Sequence, residues 1–331
     1  MNRSARVSRS AGGRLAAGLL VAILLSTPSP LEAQWPPDSL TNLEVLPEDI
    51  PFPELMQTMG AFTRALGVRC SACHVGEEGA PLATYDFAAD DRALKRKARA
   101  MLRMVGAING ERLAGLDDRA EPPVEVRCFT CHRGTRLPRT LQDELRIAYD
   151  GGGLNALRAR YGELREQYYG RATYDFGAVP LADIGGELAA AGSLEDAEAV
   201  LALNVEMNPD DRFAQRQHAA IALANALMVS PEDGGTRFRE LIDAYGAGAL
   251  SEPVVNRLGY GLLERGEAAA AVAAFRLNVD AHPDSWNVWD SLGEGYERTG
   301  DIAAAIESYR RSLELNPDND HARERIRNLG G

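Results

Sequence analysis

The chain contains the pentapeptide CSACH at residues 70–74 and a second copy of the same pattern, CFTCH, at residues 128–132. In this pattern, which is the attachment motif of c-type haem, two residues separate the cysteines and a histidine follows the second one. The cysteines add to the vinyl groups of the porphyrin, and the histidine becomes the proximal iron ligand. We therefore predict two covalently attached haems c. The predicted attachment residues are Cys70, Cys73, Cys128 and Cys131, and the predicted proximal ligands are His74 and His132.

Two other uses of cysteine pairs compete with haem attachment. One is a thioredoxin-like redox pair, and the other is a zinc site. Zinc ribbons space their two cysteine pairs by roughly 15–20 residues, which is far less than the interval from Cys73 to Cys128. Neither alternative explains why a histidine follows each pair, so haem attachment is the better interpretation.

The amino-terminal segment has the layout of a secretory signal. Arginines at positions 3, 6, 9 and 14 precede an apolar run over residues 15–25, and Ala33 is a plausible last residue before cleavage. The apolar run is shorter than the ~20 residues that span a bilayer. We expect an exported, periplasmic protein, in agreement with haem attachment outside the cytoplasm. An uncleaved anchor is the alternative, and membrane association is otherwise expected only through a partner.

A helix is predicted before each motif, over residues 54–66 and from residues 90–91 to 109–110. Each carries two methionines three residues apart. Because the two motif histidines are the only histidines before residue 218, a sixth iron ligand from this region would be a methionine. Met59 and Met101 lie on the apolar stripes of the two helices. Their neighbours Met56 and Met104 are the alternatives, and methionine also fills gaps in ordinary cores.

Three stretches together resemble a known family: LMQTMGAFTRALGVRCSACH, DFAADDRALKRKARAMLRMVGAIN and VRCFTCHRGTRLP. They are similar to the cytochrome c subunit of photosynthetic reaction centres and its smaller relatives, over roughly residues 42–140. The resemblance implies that a helix before each motif supplies a distal methionine, Met59 for the first haem and Met101 for the second. Full-length members of that family carry four haems, whereas this chain has two motifs and a different carboxyl-terminal half.

Charge is distributed unevenly along the chain. Residues 34–170 contain 18 Lys plus Arg and 20 Asp plus Glu, whereas residues 171–331 contain 14 and 27. The acidic half gives no indication of nucleic-acid binding.

Basic residues follow the second motif at Arg133, Arg136 and Arg139, and other basic residues line one face of the second predicted helix. They are interpreted either as a docking patch for an acidic partner or as partners of haem propionates beside a solvated face.

The carboxyl-terminal half repeats with the ~34-residue period of tetratricopeptide repeats. The last copy has Trp289, Leu292, Gly293, Tyr296, Ala305, Tyr309 and Pro317. The copy before it has Val255, Leu258, Gly259, Leu262, Ala271, Phe275 and Pro283. The earliest copy has Leu181, Ile184, Gly185, Leu188, Ala197, Leu201 and Pro209. A divergent, longer repeat is expected at about residues 212–248, and a capping helix at residues 320–328.

The histidines of this half, His218, His282 and His321, are expected to be solvated. The segment before the repeats contains a predicted helix over residues 154–168 and an aromatic string over residues 168–176. These aromatic residues are too many for a free linker, so we expect them to pack on one of the domains.

We predict an all-α chain, in which a small dihaem c-type cytochrome domain precedes an α-solenoid of tetratricopeptide repeats. The predicted domains are a signal peptide (1–33), the dihaem domain (34–140), a connector with one helix (141–179) and the repeat domain with its capping helix (180–331).

The predicted function is electron transport without enzymatic activity. We expect a redox protein as donor and another as acceptor, including a membrane electron-transfer complex as one option, and a protein or peptide at the repeats. A haem enzyme or gas sensor with one open iron site, such as a peroxidase, is one alternative, and a mainly structural scaffold is the other.

Overall fold

A computed structural model describes residues 35–330 of the chain, so the predicted signal segment lies outside the described residues. This part contains thirteen α-helices and no β-strand, and it confirms the all-α prediction. The helices are α1 (Phe52–Leu66), α2 (Ala93–Ala107), α3 (Cys128–His132), α4 (Leu141–Tyr168), α5 (Ala178–Ala190), α6 (Leu194–Met207), α7 (Arg212–Val229), α8 (Gly234–Tyr245), α9 (Glu252–Glu264), α10 (Ala268–Ala281), α11 (Trp286–Thr299), α12 (Ile302–Leu315) and α13 (Asp320–Asn328).

The chain forms two compact units. Among the described residues, one unit comprises residues 35–60 together with Arg69–Val124, and the other comprises Ala61–Val68 together with residues 125–330. The first motif therefore lies in the first unit, and the second motif lies in the same unit as the repeats. The domain boundaries inferred from the sequence stay predictions.

Both helices expected before the motifs are present. Helix α1 begins two residues earlier than predicted and ends at Leu66, as predicted. Helix α2 ends at Ala107 and continues directly into a π-helical turn, Ile108–Leu113. The predicted end at residues 109–110 falls inside this turn.

The segment before the repeats is more helical than predicted, because α4 begins at Leu141. Its amino terminus is a capping box, in which the Thr140 hydroxyl accepts a hydrogen bond from the Asp143 backbone N–H while the Asp143 carboxylate accepts one from the Thr140 N–H. The helix is kinked at Gly152 and Gly153, where Gly153 has a φ of 65°. The predicted helix over residues 154–168 is thus only the second half of α4.

The aromatic string after α4 packs onto the repeat side of the chain. Tyr174 and Phe176 are buried in one core with residues of α4, α5 and α6. Tyr174 also meets Tyr168 edge to face, with the ring centroids 5.2 Å apart. Because α4 and this string cover α5 and α6, they complete the first end of the repeat core.

Four helix pairs and a capping helix form the repeats. The first helices of successive units begin at residues 178, 212, 252, 286 and 320, so three of the four intervals equal 34 residues and one equals 40. The longer interval is the divergent repeat expected from the sequence. Helix α13 has the bounds predicted for the capping helix.

Glycines of the repeat pattern allow the paired helices to approach closely. A Cβ atom on Gly259 would lie 2.3 Å from the Phe275 ring, and one on Gly293 would lie 2.6 Å from the Tyr309 ring. In the earliest copy, a Cβ on Gly185 would lie 2.6 Å from Leu201. Since Phe275, Tyr309 and Leu201 are almost completely buried, the same small-to-large contact recurs in three copies.

Within residues 35–330, none of the helices combines the length and the apolar character needed to cross a membrane.

The end of α1 contacts the turn after the second motif through glycine. The Gly134 N–H donates to the Ala65 carbonyl oxygen at 2.8 Å, and a Cβ on Gly67 would lie 2.1 Å from the Gly134 carbonyl oxygen. Gly67 also has a φ of +63°, which L side chains rarely adopt. Both the backbone conformation and the close approach therefore require glycine at position 67.

We predict that Gly67→Ala lowers the free energy of unfolding by about 2–3 kcal/mol, because a methyl group would push two backbone segments apart. Urea unfolding of the purified protein measures the change. Gly170→Ala is the control, since Gly170 has a φ of +76° but no atom near its Cβ position, and we expect a cost of about 1 kcal/mol. Equal costs for the two variants would contradict this account of Gly67.

Candidate haem sites

The first motif forms a single helical turn. The His74 N–H donates to the Cys70 carbonyl oxygen at 2.9 Å, and the Cys73 N–H donates to the same oxygen at 3.1 Å. This turn places both thiols and the imidazole on one short segment. Burial raises the pKa of the Cys73 thiol, and the nearby Cys70 thiol acts in the same direction. The geometry brings together the three groups that the sequence predicted as one site.

His74 lies in an aromatic surrounding. Its ring meets Phe87 with centroids 4.9 Å apart, and Phe87 stacks on Tyr85 at 5.6 Å. Trp35 contacts both Phe87 and Phe52. Burial lowers the pKa of His74, the positive charge of Lys95 lowers it further, and the Phe87 backbone opposes the shift without reversing it. The ring is therefore neutral at pH 7, the form in which imidazole binds a metal.

One nitrogen of this ring, Nδ1 of His74, is buried and makes no hydrogen bond. Buried polar atoms normally have a partner, so an unpaired imidazole nitrogen beside two thiols fits a site that holds a metal-containing group. The donor set of one imidazole and two thiols fits c-type haem.

The loop after the first motif is bound back onto the motif. The Asp86 N–H donates to the Val75 carbonyl oxygen at 2.8 Å, and the Tyr85 hydroxyl donates to the Glu77 carbonyl oxygen at 2.7 Å. A Cβ on Gly76 would lie 2.4 Å from the Tyr85 ring. These contacts fix the positions of Tyr85 and Phe87 relative to His74.

The second motif is the short helix α3. Its first turn is closed by the Arg127 N–H, which donates to the Thr130 hydroxyl at 2.9 Å. Burial raises the pKa of the Cys128 thiol, whereas Cys131 is exposed. All four cysteines are free thiols in the described part of the chain.

His132, unlike His74, makes a hydrogen bond through Nδ1. Its Nδ1 lies 3.0 Å from the Thr135 carbonyl oxygen. A carbonyl only accepts, so Nδ1 carries the proton and Nε2 keeps its lone pair for a metal. The Thr135 hydroxyl contacts the carbonyl oxygens of His132 and Leu137 at 2.8 and 2.9 Å. The turn over residues 132–135 thus sets both the orientation and the tautomer of the ring.

The core of the repeat-containing unit supports this turn. The hydroxyl of buried Thr173, in the aromatic string, donates to the Arg133 carbonyl oxygen at 2.8 Å. Arg133 itself has a φ of 50° and ends α3. The structure therefore shows a function for the aromatic string that sequence reasoning missed, namely to hold the turn after the second motif.

The candidate methionines lie on the two expected helices. Met56 and Met59 on α1 are both half-buried, whereas Met101 and Met104 on α2 are 41% and 46% exposed. Burial therefore does not distinguish the two methionines of either helix from each other. Met101 and His132 lie in different compact units, so the choice of Met59 and Met101 stays a prediction.

One interpretation of the sequence expected a solvated basic face on α2. The structure shows instead that part of this face is buried. Lys95 and Arg99 are both only 9% exposed. Arg99 pairs with Glu44 and Asp90, each at 2.8 Å, and donates to the Asn42 carbonyl oxygen at 3.0 Å. These two cations bind α2 to the amino-terminal segment and to the loop at residues 87–90. In the sequence, only the acidic residues at positions 44 and 90 could have indicated that these cations are paired.

The expectation that the later histidines are solvated is wrong for His218. It is 7% exposed, and its Nδ1 lies 2.8 Å from the Tyr245 hydroxyl. Burial lowers the pKa of His218.

His321 is exposed and contacts Asp290 at 3.0 Å. One ligand atom each from Asp290, Glu294 and His321 lie within 4.8 Å of one another, but hydrogen bonds within the repeats already satisfy these side chains.

Comparison with known proteins agrees with this description. Residues 27–148 match the family model of the photosynthetic reaction centre cytochrome C subunit, and residues 286–319 match that of the tetratricopeptide repeat. None of the curated proteins matches the chain.

Solved structures that match the chain include MamA from Desulfovibrio magneticus RS-1, which is 19% identical. The match covers 47% of this chain and 84% of that one, with a TM-score of 0.29. Another is YrrB, described as a TPR protein with an unusual peptide-binding site, which is 11% identical over 56% of this chain and 89% of that one, with a TM-score of 0.28. Scores this low carry no information on function.

The chain is therefore similar to the photosynthetic reaction centre cytochrome C subunit over residues 27–148 and to the tetratricopeptide repeat over residues 286–319.

Proposed function

We propose that this protein is an exported dihaem c-type cytochrome that carries electrons and binds a protein partner through its repeats. The observation that carries the proposal is the hydrogen bond from His132 Nδ1 to the Thr135 carbonyl oxygen, which leaves Nε2 free as an iron ligand. The cytochrome family match over residues 27–148 supports it. Haem bound at each motif would supply a one-electron couple.

The residues of each motif have separate roles in this proposal. Cys70 with Cys73, and Cys128 with Cys131, would hold one haem each by thioether bonds. His74 and His132 would be the proximal ligands of the iron. Met59 on α1 and Met101 on α2 would be the distal ligands, and a thioether ligand raises the reduction potential relative to two histidines. A haem held in this way would carry electrons and would leave no position for a substrate.

The repeats act as the docking part of the molecule. Solenoids of this kind present extended binding surfaces, and the match to a tetratricopeptide repeat supports a protein or peptide partner there. Residues 171–331 have 27 acidic and 14 basic residues, so the partner surface is expected to be basic. We further propose that the electron donor and acceptor are redox proteins and that the mature protein is periplasmic.

Haem attachment is tested by removing one cysteine pair at a time. We predict that the wild-type protein, expressed with a c-type maturation system, keeps two haems after denaturation, because thioether bonds survive unfolding. The double variants Cys70→Ala/Cys73→Ala and Cys128→Ala/Cys131→Ala should each keep one. Intact mass and the pyridine haemochrome assay count the haems, and periplasmic fractionation tests export. Independent attachment would be contradicted if either variant lost both haems or if the wild-type protein contained no haem.

Distal ligation is tested with methionine variants of the holoprotein. We predict that Met59→Leu and Met101→Leu each open one iron, so that one of the two ferrous haems gains the ability to bind carbon monoxide and its potential falls. Met56→Leu and Met104→Leu are matched controls on the same helices, and they should leave both haems unchanged. If a control variant opens an iron instead, the ligand on that helix is the neighbouring methionine.

A further inference from the structure

Lys95 is one of only two lysines in the chain, and it is buried. Its Nζ donates to three consecutive carbonyl oxygens, those of Phe87 at 2.9 Å, Ala88 at 3.0 Å and Ala89 at 2.8 Å. The same atom lies 2.9 Å from the Asp90 carboxylate. Four oxygen atoms, all of them hydrogen-bond acceptors, thus surround one ammonium group and hold it in place.

The charges around Lys95 form a defined set. Arg99 is the second buried cation, and Glu44 and Asp90 are its carboxylate partners. Arg99 and Lys95 hold the pKa of Asp90 well below its usual range, so Asp90 is ionised at all working pH values. Two positive and two negative charges therefore form one cluster at the loop over residues 87–90, and Asp90 belongs to this loop.

This set lies next to His74 through Phe87. The carbonyl oxygen of Phe87 accepts a hydrogen bond from Lys95, and the Phe87 ring lies against the His74 ring at 4.9 Å. An iron bound to His74 would therefore lie in the field of these charges, and a nearby positive charge opposes positive charge on the iron.

We propose that Lys95 is a positioning residue that raises the reduction potential of the first haem, and that Asp90 lowers it. The proposal rests on the proposed function, because it needs haem at Cys70 and Cys73. A ferric haem carries one more positive charge than a ferrous haem. A fixed ammonium group close to the proximal histidine therefore favours the ferrous state, and a carboxylate in the same set favours the ferric state.

The test uses the full-length holoprotein and three single variants. Lys95→Gln removes the positive charge, and we expect one of the two haem potentials to shift downward. Asp90→Asn removes the negative charge but keeps an oxygen that accepts hydrogen bonds, and we expect the same haem to shift upward. Lys97→Gln is the control, since Lys97 is the other lysine and is exposed on the same helix. It should shift neither potential beyond the scatter of repeated titrations.

The opposite signs separate an electrostatic role from a merely structural one. If Lys95 and Asp90 only held the loop closed, both variants would admit water to the haem and both would shift its potential in the same direction. Shifts of the same sign, or no shift, would overturn the proposal. If Lys95→Gln does not fold, Asp90→Asn decides alone: an upward shift supports the proposal and any other result refutes it.

Haem content separates this proposal from the proposed function. The haems of each variant are counted before titration. Absence of haem from the wild type refutes the proposed function, whereas two haems with unshifted potentials in Asp90→Asn and Lys95→Gln refute only the inference about the charge set.

Discussion

The hydrogen bond from His132 Nδ1 to the Thr135 carbonyl oxygen is the interaction on which the second site depends. It exists only because the chain reverses within four residues, and other elements hold that reversal. The Gly134 N–H donates to the end of α1, and Thr173 donates to the Arg133 carbonyl oxygen. A change in the aromatic string can therefore alter the orientation of His132 without contacting it, which couples the second site to the repeat core.

The first site is supported by different means. His74 lies against Phe87, and the loop that carries Phe87 is held by the buried Lys95 and by hydrogen bonds back to the motif. Burying a charge is costly unless it is fully paired, and here Lys95 has four oxygen partners. Two motifs of the same sequence pattern thus stand in different electrostatic surroundings. Under the proposed function, this difference would give the two haems unlike potentials and would give the electron a preferred direction.

Much of the architecture could be predicted from periodicity and from a few key residues. The 34-residue period predicted the repeats, the longer divergent repeat and the capping helix at residues 320–328. The repeated glycines were visible in the sequence because each one faces a large buried side chain on the paired helix. The helices before the motifs followed from apolar residues at helical spacing. The burial of Lys95 and Arg99 was missed, because the sequence contains carboxylates at residues 44 and 90 but does not show that the fold places them against this charged face. His218 was missed for the same reason, since its partner Tyr245 lies on the next helix.

The central claim is that two haems are attached and that protein ligands fill both axial positions of each iron. A spectroelectrochemical titration of the wild-type holoprotein, repeated under carbon monoxide, tests it most directly. The account predicts two one-electron steps whose spectra and potentials are the same with and without the gas. If one haem binds carbon monoxide at once when reduced, that iron has an open position, its methionine ligand is wrong, and a haem enzyme or gas sensor becomes the better description of the protein.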